Sequence, residues 1–317
     1  MRTLVAAKQD SPARARQSNR PALGVGLVQT KWHPDADQHL HVLNDGIASA
    51  AHAGAQVVFL PELTLSRYPA DSRPLGRAAD LAEDLHSGPT LAFATTAARE
   101  NNVIVHASLY ERADERDELG FNTAILVTPE GRLLTRTRKL HIPVTAGYHE
   151  DLYFHPGPAD DPHPVTELPL PCQARVGMPT CWDEWFPELA RAYSLAGAEV
   201  LAYPSAIGSE PDHPDFDTEP LWRQAIVGNG IMNGLFMVVP NRWGVEGVTF
   251  YGSSFISDPY GRVLVQAPRS GDAVLVATLD LAQRDDWLRL FPFLSTRRPD
   301  TYTSLTDPVQ RTFHSSS

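Results

Sequence analysis

Apolar positions recur along the first half of this chain with two spacings, which predict alternating strands and helices. The runs LGVGLVQT (Leu23–Thr30), QVVFLPE (56–62) and VIVHASLY (103–110) are short and almost continuously apolar, which is typical of buried strands. Between these runs, the segments 35–54 and 88–102 place apolar side chains three or four residues apart, which predicts two amphipathic helices.

The second half of the chain repeats this alternation and adds hairpins. Further strands are predicted at ARVGMPT, AEVLAYPS, GLFMVVPN and DAVLVATLDL, and further helices at residues 187–197 and 219–233. Two hairpins, 121–140 and 252–267, turn at TPEGR and DPYGR. Because hairpins interrupt the βαβ order, we expect an α/β fold whose sheets mix parallel and antiparallel pairing.

One domain is predicted, spanning residues 21–304. The first 20 residues are polar and rich in arginine, and they are expected to form a loose tail, as are residues 305–317. The N-terminal residues lack the apolar stretch of a secretory signal, and no segment approaches the ~18 apolar residues of a membrane helix. These features predict a cytoplasmic protein.

Charge and cysteine content narrow the classes of function. The net charge is -11, which argues against a nucleic-acid surface. The 2 cysteines, Cys172 and Cys181, are too few for a disulfide framework or a zinc knuckle. The histidines lack paired metal-ligand spacing, and the chain has neither a dinucleotide-binding glycine motif nor a phosphate-loop lysine motif. No cofactor or metal is expected, and the partner is a small molecule.

Four residues, three of them at predicted strand or hairpin ends, could carry chemistry. Cys181 follows a strand and precedes a helix, where nearby N–H groups favour a thiolate. Glu62 follows the strand VVFL, Lys139 ends a hairpin, and Glu150 lies in a loop with aromatic neighbours. Taken singly, each has a plain alternative: a core cysteine, two surface acids and a solvated basic strand. Together they supply a nucleophile, a base whose pKa burial could raise, and a cation for an oxyanion.

Three segments around these residues resemble the signature motifs of the carbon–nitrogen hydrolase, or nitrilase, superfamily: LPELTLSRYP, RKLHIP and CWDEWFPELARAYSLAGAEVLAYPSAIGSEP. The resemblance runs from about Leu23 to Tyr302. It implies a four-layer α-β-β-α sandwich and homo-oligomers, dimeric or larger. Within the superfamily, GYHEDLYFHPG, YPSAIGSEP and FYGSSFI are most similar to the N-carbamoylputrescine amidase branch.

The resemblance also implies roles for individual residues. Glu62, Lys139 and Cys181 correspond to the catalytic triad, and Glu150 corresponds to a further glutamate that orients substrate and water. The backbone N–H of Trp182 would hold the oxyanion together with Lys139. For substrate binding, Glu210 would face a distal ammonium, Tyr148 would line the pocket, and Asp183 would add negative potential together with Glu184.

Departures from that branch leave the substrate open. Leu221 and Asn229 stand where histidines would, and Met178, Pro179 and Thr180 replace small residues before the cysteine, where the proline predicts distorted strand pairing. The alternatives are an N-carbamoyl-β-alanine hydrolase whose substrate carboxylate meets Arg223 or Arg242, another linear amidase, a nitrilase, and an inactive scaffold.

Overall fold

The computed structural model describes residues 1–114 and 117–308. Its helices in that part of the chain are α1 (Ala36–His52), α2 (Pro89–Asn101), α3 (Pro187–Leu195), α4 (Glu219–Asn233) and α5 (Ala282–Leu290). The strands, in chain order, are β1 (Arg2–Val5), β2 (Leu23–Gln29), β3 (Val57–Phe59), β4 (Ile104–Arg112), β5 (Gly120–Val127), β6 (Leu133–Arg138), β7 (Val144–Thr145), β8 (Tyr148–His149), β9 (Thr166–Glu167), β10 (Arg175–Gly177), β11 (Val200–Ala202), β12 (Phe236–Val239), β13 (Trp243–Val245), β14 (Thr249–Tyr251), β15 (Phe255–Ser257), β16 (Val263–Gln266) and β17 (Ala273–Leu279).

Two mixed sheets pack face to face and helices cover their outer faces. One sheet has the order β1-β17-β2-β3-β4-β5-β6 and the other β16-β15-β12-β11-β10-β9. Leu27 and Phe59 of the first sheet share one buried cluster with Val200 and Val238 of the second. Helices α1 and α2 pack on the far side of the first sheet, and α3 and α4 on the far side of the second. The predicted α-β-β-α sandwich with mixed sheets is confirmed.

The glycines of LGVGLVQT serve packing. A Cβ atom on Gly26 would lie 2.8 Å from the Cβ of Ala50 on α1, so the helix rests directly on the strand. That contact is far shorter than two methyl groups tolerate, and glycine in a strand interior commonly marks such close approach.

The loose N-terminal tail was a wrong expectation. β1 pairs in parallel with β17, and Arg14 forms ion pairs with Asp280 at 2.5 Å and Asp286 at 2.7 Å. Arg20 contacts Glu199 at 2.5 Å. The arginines that gave the segment its polar character are therefore partners for acids that lie far along the chain. At the other end, Leu305 and Thr306 lie in a 3₁₀ turn, and residues 309–317 of the predicted C-terminal tail fall outside the described part of the chain.

Most predicted elements are present with shifted ends. Both hairpins are antiparallel pairs, β5 with β6 and β15 with β16. β10 ends at Gly177, so Pro179 follows the strand and disturbs no pairing within it. The pair β13 and β14 was not anticipated. Across residues 1–114 and 117–308, no helix combines the length and the apolar character needed to cross a membrane.

Candidate active site

Lys139 stands at the centre of a buried cluster of charges. It follows β6 directly, its side chain is fully buried, and its Nζ atom lies 3.0 Å from Oε1 of Glu62. The same ammonium lies 2.8 and 2.7 Å from the two carboxylate oxygens of Glu150. Tyr68 donates its hydroxyl to Glu150 at 2.8 Å, and the Asn122 amide donates to Oε1 of Glu62 at 2.7 Å. The structure thus brings three of the predicted residues into direct contact.

Glu62 is held by its backbone as well as by its side chain. Arg242, itself buried, donates to the carbonyl oxygen of Glu62 at 2.8 Å and to that of Leu63 at 2.7 Å. Its guanidinium also pairs with the buried carboxylate of Glu246 at 3.0 Å. Leu63 has a φ of 50°, a conformation that costs energy for a non-glycine residue unless its surroundings impose it. Sequence reasoning missed this holding role, because Arg242 lies 180 residues from Glu62.

Oε2 of Glu62 is free to act. This atom is buried and has no hydrogen-bond partner among the described residues, whereas Oε1 is shared by Asn122 and Lys139. A buried carboxylate oxygen without a donor carries an energetic cost, and such costs in a well-packed structure need an explanation. The open oxygen is consistent with the role of Glu62 as a base, which stays a prediction at this point.

Cys181 lies at the start of a tight turn with an unusual backbone conformation. It begins a 3₁₀ helix, Cys181–Trp185, has a φ of 44°, and donates its backbone N–H to the Pro204 carbonyl at 3.0 Å. A left-handed conformation at a non-glycine residue is uncommon and clusters at functional sites. The side chain is 5% exposed. The predicted helix after it, α3, starts separately at Pro187.

The surroundings of Cys181 and Lys139 raise the pKa of both groups. Burial, and then the charge of Glu62, raise the pKa of the Cys181 thiol well above its usual range, while Lys139 opposes them. This overturns the expectation that helix N–H groups favour a resting thiolate. Burial alone would lower the pKa of Lys139, but Glu150 and Glu62 raise it well above its ordinary value. Burial raises the pKa of Glu150 to about 7 although Lys139 acts in the opposite direction.

Both carboxylate oxygens of Asp183 are occupied by contacts within the protein. Its carboxylate accepts backbone N–H groups from Thr180 at 3.0 Å and His141 at 2.9 Å, and it lies 2.7 Å from Nδ1 of His141. The expected contribution to substrate binding is therefore corrected. Asp183 ties the residue before Cys181 to the segment that follows Lys139, because both oxygens are committed to these contacts.

The rim of the site contains Tyr148 and Glu210. Tyr148 is 7% exposed; it accepts the Gly208 N–H at 3.0 Å and donates to the Ser209 carbonyl at 3.2 Å. Burial is the largest cause that raises its pKa, and the charges of Glu210, Cys181 and Glu150 act in the same direction, which places the tyrosine between rim and centre. Glu210 is half-buried, and its side chain makes one hydrogen bond within residues 1–114 and 117–308, a long one of 3.4 Å to the Thr218 hydroxyl.

Three further positions singled out from the sequence lie outside the buried charge cluster: Trp182, Leu221 and Asn229. Trp182 is half-buried against Trp185, and its N–H lies in the first turn of the 3₁₀ helix, where N–H groups lack partners within the helix. Leu221 is 48% exposed on α4, so it lines no buried pocket. Asn229 is buried and donates to the Glu184 carbonyl at 2.9 Å. The expectation that these two positions form a changed far pocket was wrong for Leu221. At Asn229 the side chain instead packs α4 against the turn that contains Glu184.

Comparison with known proteins agrees with this geometry. The carbon–nitrogen hydrolase family profile matches residues 24–289. A protein from Francisella tularensis named citrullinase is 34% identical, covering 89% of this chain and 97% of that protein. The N-carbamoylputrescine amidase of Solanum tuberosum is 35% identical, covering 89% of this chain and 94% of the relative.

Solved structures agree on the fold. A carbon–nitrogen hydrolase from Helicobacter pylori superposes with a TM-score of 0.79 at 29% identity, covering 90% of this chain and 99% of that one. An amidase from Nesterenkonia sp. superposes with a TM-score of 0.68 at 21% identity, covering 91% and 98%. The chain belongs to the carbon–nitrogen hydrolase family, whose members act on carbon–nitrogen bonds other than peptide bonds.

Proposed function

We propose that this chain hydrolyses the terminal ureido group of a linear aliphatic amine, as in N-carbamoylputrescine, through a covalent intermediate on Cys181. The products are the amine, carbon dioxide and ammonia. The observation that carries the proposal is the open Oε2 of Glu62, buried in the same cluster as a protonated thiol and an ammonium group. A nucleophile, an unoccupied base and a cation are the parts that acyl transfer requires.

In the first step, Glu62 takes the thiol proton as the sulfur attacks the ureido carbon. Because the resting thiol is protonated, proton transfer and attack belong to the same step. Negative charge develops on the carbonyl oxygen, where the Lys139 ammonium and the Trp182 N–H stabilise it. Glu62 then returns its proton to the departing nitrogen, the carbon–nitrogen bond breaks, and a thioester remains on Cys181.

In the second step, water hydrolyses the thioester. Glu62 accepts a proton from the water, whose oxygen attacks the carbonyl carbon, and the carbon–sulfur bond breaks with return of a proton to sulfur. Glu150, bound to both Tyr68 and Lys139, orients the substrate and the attacking water. The released carbamic acid loses carbon dioxide, so the nitrogen that did not leave first is released now.

Relatives and charge together support a ureido substrate with a distal ammonium. Citrulline and N-carbamoylputrescine, the compounds in the relatives' names, both carry a terminal ureido group on an aliphatic chain whose far end bears an amino group, and citrulline bears a carboxylate there as well. At the rim, Glu210 offers a carboxylate whose long contact to Thr218 leaves it available to an ammonium. These two features favour a substrate with a distal ammonium over one whose far end bears only a carboxylate.

An N-carbamoyl-β-alanine hydrolase is the alternative, and the arginines weigh against it. Arg242 is committed to backbone carbonyls and to Glu246. Arg223 is paired with Glu219 at 3.3 Å. Arg242 is therefore fully engaged, whereas the partly exposed Arg223 would have to share or exchange its contact with Glu219 to meet a substrate carboxylate. Other linear amides and nitriles remain substrates that the same triad could process.

We propose further that the enzyme is a homo-oligomer, dimeric or larger. A groove of about 470 Å³ between α3, α4 and the segment 297–306 is lined by apolar side chains, among them Leu195 and Met232, which are 48% and 47% exposed, and also by the charged residues Glu188, Arg191 and Arg297. Paired apolar surface of this kind fits a second copy of the chain. Replacing Leu195 by Arg would lower the mass measured by light scattering if the proposal is right.

The cytoplasmic location stays a prediction.

Ammonia release from a panel of substrates tests the proposed function. The panel comprises N-carbamoylputrescine, citrulline, N-carbamoyl-β-alanine, a linear aliphatic amide and a nitrile, with Cys181→Ala as the blank and Cys172→Ala as the matched control. We expect turnover of the two ureido compounds that carry an ammonium group, abolished only by Cys181→Ala. Preference for N-carbamoyl-β-alanine would contradict the role given to Glu210.

A further inference from the structure

A third carboxyl group lies beside the nucleophile, and the mechanism above does not use it. Glu184 is fully buried three residues after Cys181, in the same 3₁₀ helix. Such a helix has about three residues per turn, so side chains at positions i and i+3 lie on the same face. The Glu184 carboxyl and the Cys181 thiol therefore project into the same buried region.

Glu184 attaches the nucleophile's turn to α4 through both its side chain and its backbone. The Trp222 indole N–H donates to Oε1 of Glu184 at 2.6 Å, and the Ser205 hydroxyl lies 3.4 Å from Oε2. The Asn229 amide donates to the Glu184 carbonyl at 2.9 Å. Trp222 and Asn229 are both on α4, so Glu184 makes two hydrogen bonds between that helix and the turn that contains Cys181.

The charge balance of the site favours a neutral Glu184. Glu62 and Glu150 already share the one ammonium of Lys139. A third ionised carboxylate would stand uncompensated in a buried volume, which is very costly, and the hydrogen-bond partners of its side chain are neutral groups. In agreement, burial raises the pKa of Glu184 well above its ordinary range. The titratable groups that face it from the neighbouring elements are Glu62, Lys139, Cys181, Tyr203 and Tyr251.

We propose that Glu184 is a positioning residue that holds the Cys181 turn against α4 as a protonated carboxyl, and that its ionisation at alkaline pH opposes formation of the Cys181 thiolate. The charge of Glu184 acts on the thiol in the same direction as that of Glu62. The neutral carboxyl is therefore the form that permits attack, and the ionised form suppresses it. This inference rests on the proposed function only in taking Cys181 as the nucleophile.

Alkylation of Cys181 tests the proposal without any substrate. Wild type and Glu184→Gln, both in a Cys172→Ala background, are treated with iodoacetamide between pH 6 and pH 10, and modification of the Cys181 peptide is followed by mass spectrometry. Glutamine keeps the shape and the acceptor for Trp222 but cannot ionise. We expect rates within about twofold at pH 7, and a rate about fivefold or more higher in Glu184→Gln above pH 9, which corresponds to a thiol pKa lower by roughly 0.7 unit. Glu188→Gln, an exposed change on α3, should match wild type throughout.

Two outcomes would overturn the proposal. Coincident rates at every pH would show that Glu184 never charges beside the thiol, and a difference above about tenfold at pH 7 would show that it is already ionised there. If Glu184→Gln does not fold, Trp222→Phe provides the second variant. It removes the donor that stabilises the ionised carboxyl, so it should also accelerate alkaline alkylation, and no acceleration would contradict the proposal. If the alkylation rates contradict the role of Glu184 while Cys181→Ala remains inactive, only this inference is wrong and the proposed function is unaffected.

Discussion

The centre of the site and its rim are built differently. At the centre, Lys139, Glu62 and Glu150 are fully buried and bonded to one another, and Arg242 fixes the backbone beside them. At the rim, Glu210 is half-buried and has one long contact. Each residue of the centre is held by several contacts within the protein, and these contacts do not depend on which substrate is bound. The rim has few constraints, so we expect substitution there to change the substrate at little cost in stability. The motifs would then identify the chemistry more firmly than the substrate.

The largest effect is expected from the centre. Replacing Lys139 by Met leaves Glu62 and Glu150 buried without a counter-charge, which should lower the free energy of unfolding by about 3–5 kcal/mol. Loss of the oxyanion cation should also lower kcat at least about 10²–10³-fold. Urea denaturation and ammonia release measure the two effects. The double variant Lys139→Met with Glu150→Gln should recover part of the stability and none of the activity; recovered activity would contradict the role of Lys139.

Arg242 offers a comparison between two arginines. Replacing Arg242 by Met should lower the free energy of unfolding by about 3–5 kcal/mol, because Glu246 is left unpaired and the carbonyls of Glu62 and Leu63 lose their donor. Arg223→Met is the control, since that ion pair is partly exposed and should contribute no more than about 1 kcal/mol. Equal losses in urea denaturation would show that Arg242 does not hold the Glu62 backbone.

Acid pH should reduce activity through Glu150. Its pKa is raised from 4.5 to about 7, so the carboxyl gains its proton as pH falls through neutrality, and kcat/KM should fall about tenfold per unit below pH 7. The sign for stability is opposite: between pH 4.5 and about 7 the folded state holds a proton that the unfolded state has lost, so the free energy of unfolding decreases as pH rises. A flat rate profile from pH 5 to pH 8 would exclude an ionised Glu150 from the mechanism.

The smallest effect is expected at the rim. Glu210→Gln should raise KM for N-carbamoylputrescine about five- to tenfold and leave kcat nearly unchanged, because an exposed ion pair contributes about 1 kcal/mol to binding and nothing to the chemical step. Asp212→Asn, at an exposed position two residues further on, is the matched control and should change neither constant. A fall in kcat with constant KM would place Glu210 in the catalytic step instead.

Much of the fold could be predicted from local patterns. The helix predicted at residues 35–54 is observed at Ala36–His52, and that at 219–233 is observed with those bounds. The strand end at Glu62 was predicted from a short apolar run, and the hairpin end at Lys139 from the turn motif TPEGR. These features depend on neighbours within a few residues, where periodicity and turn chemistry are informative.

The features missed depend on contacts between distant residues. β1 needs β17, about 270 residues away, before it is a strand at all. Arg242 looked like a possible substrate ligand because nothing in its neighbourhood shows that it is committed to the Glu62 backbone. Asp183 looked available to substrate, since the N–H groups that occupy it belong partly to residues 140 and 141. The protonated state of Cys181 follows from burial, which local sequence does not reveal.

The covalent intermediate is the central claim, and mass spectrometry of the enzyme quenched during turnover tests it most directly. With N-carbamoylputrescine in excess, we predict a carbamoyl or N-alkylcarbamoyl group on the Cys181 peptide, absent from the Cys172 peptide and absent from Cys181→Ala. The mass of the adduct would show whether amine or ammonia leaves first. Turnover by Cys181→Ala at the wild-type rate, together with no adduct on either cysteine of the wild-type enzyme, would contradict the account.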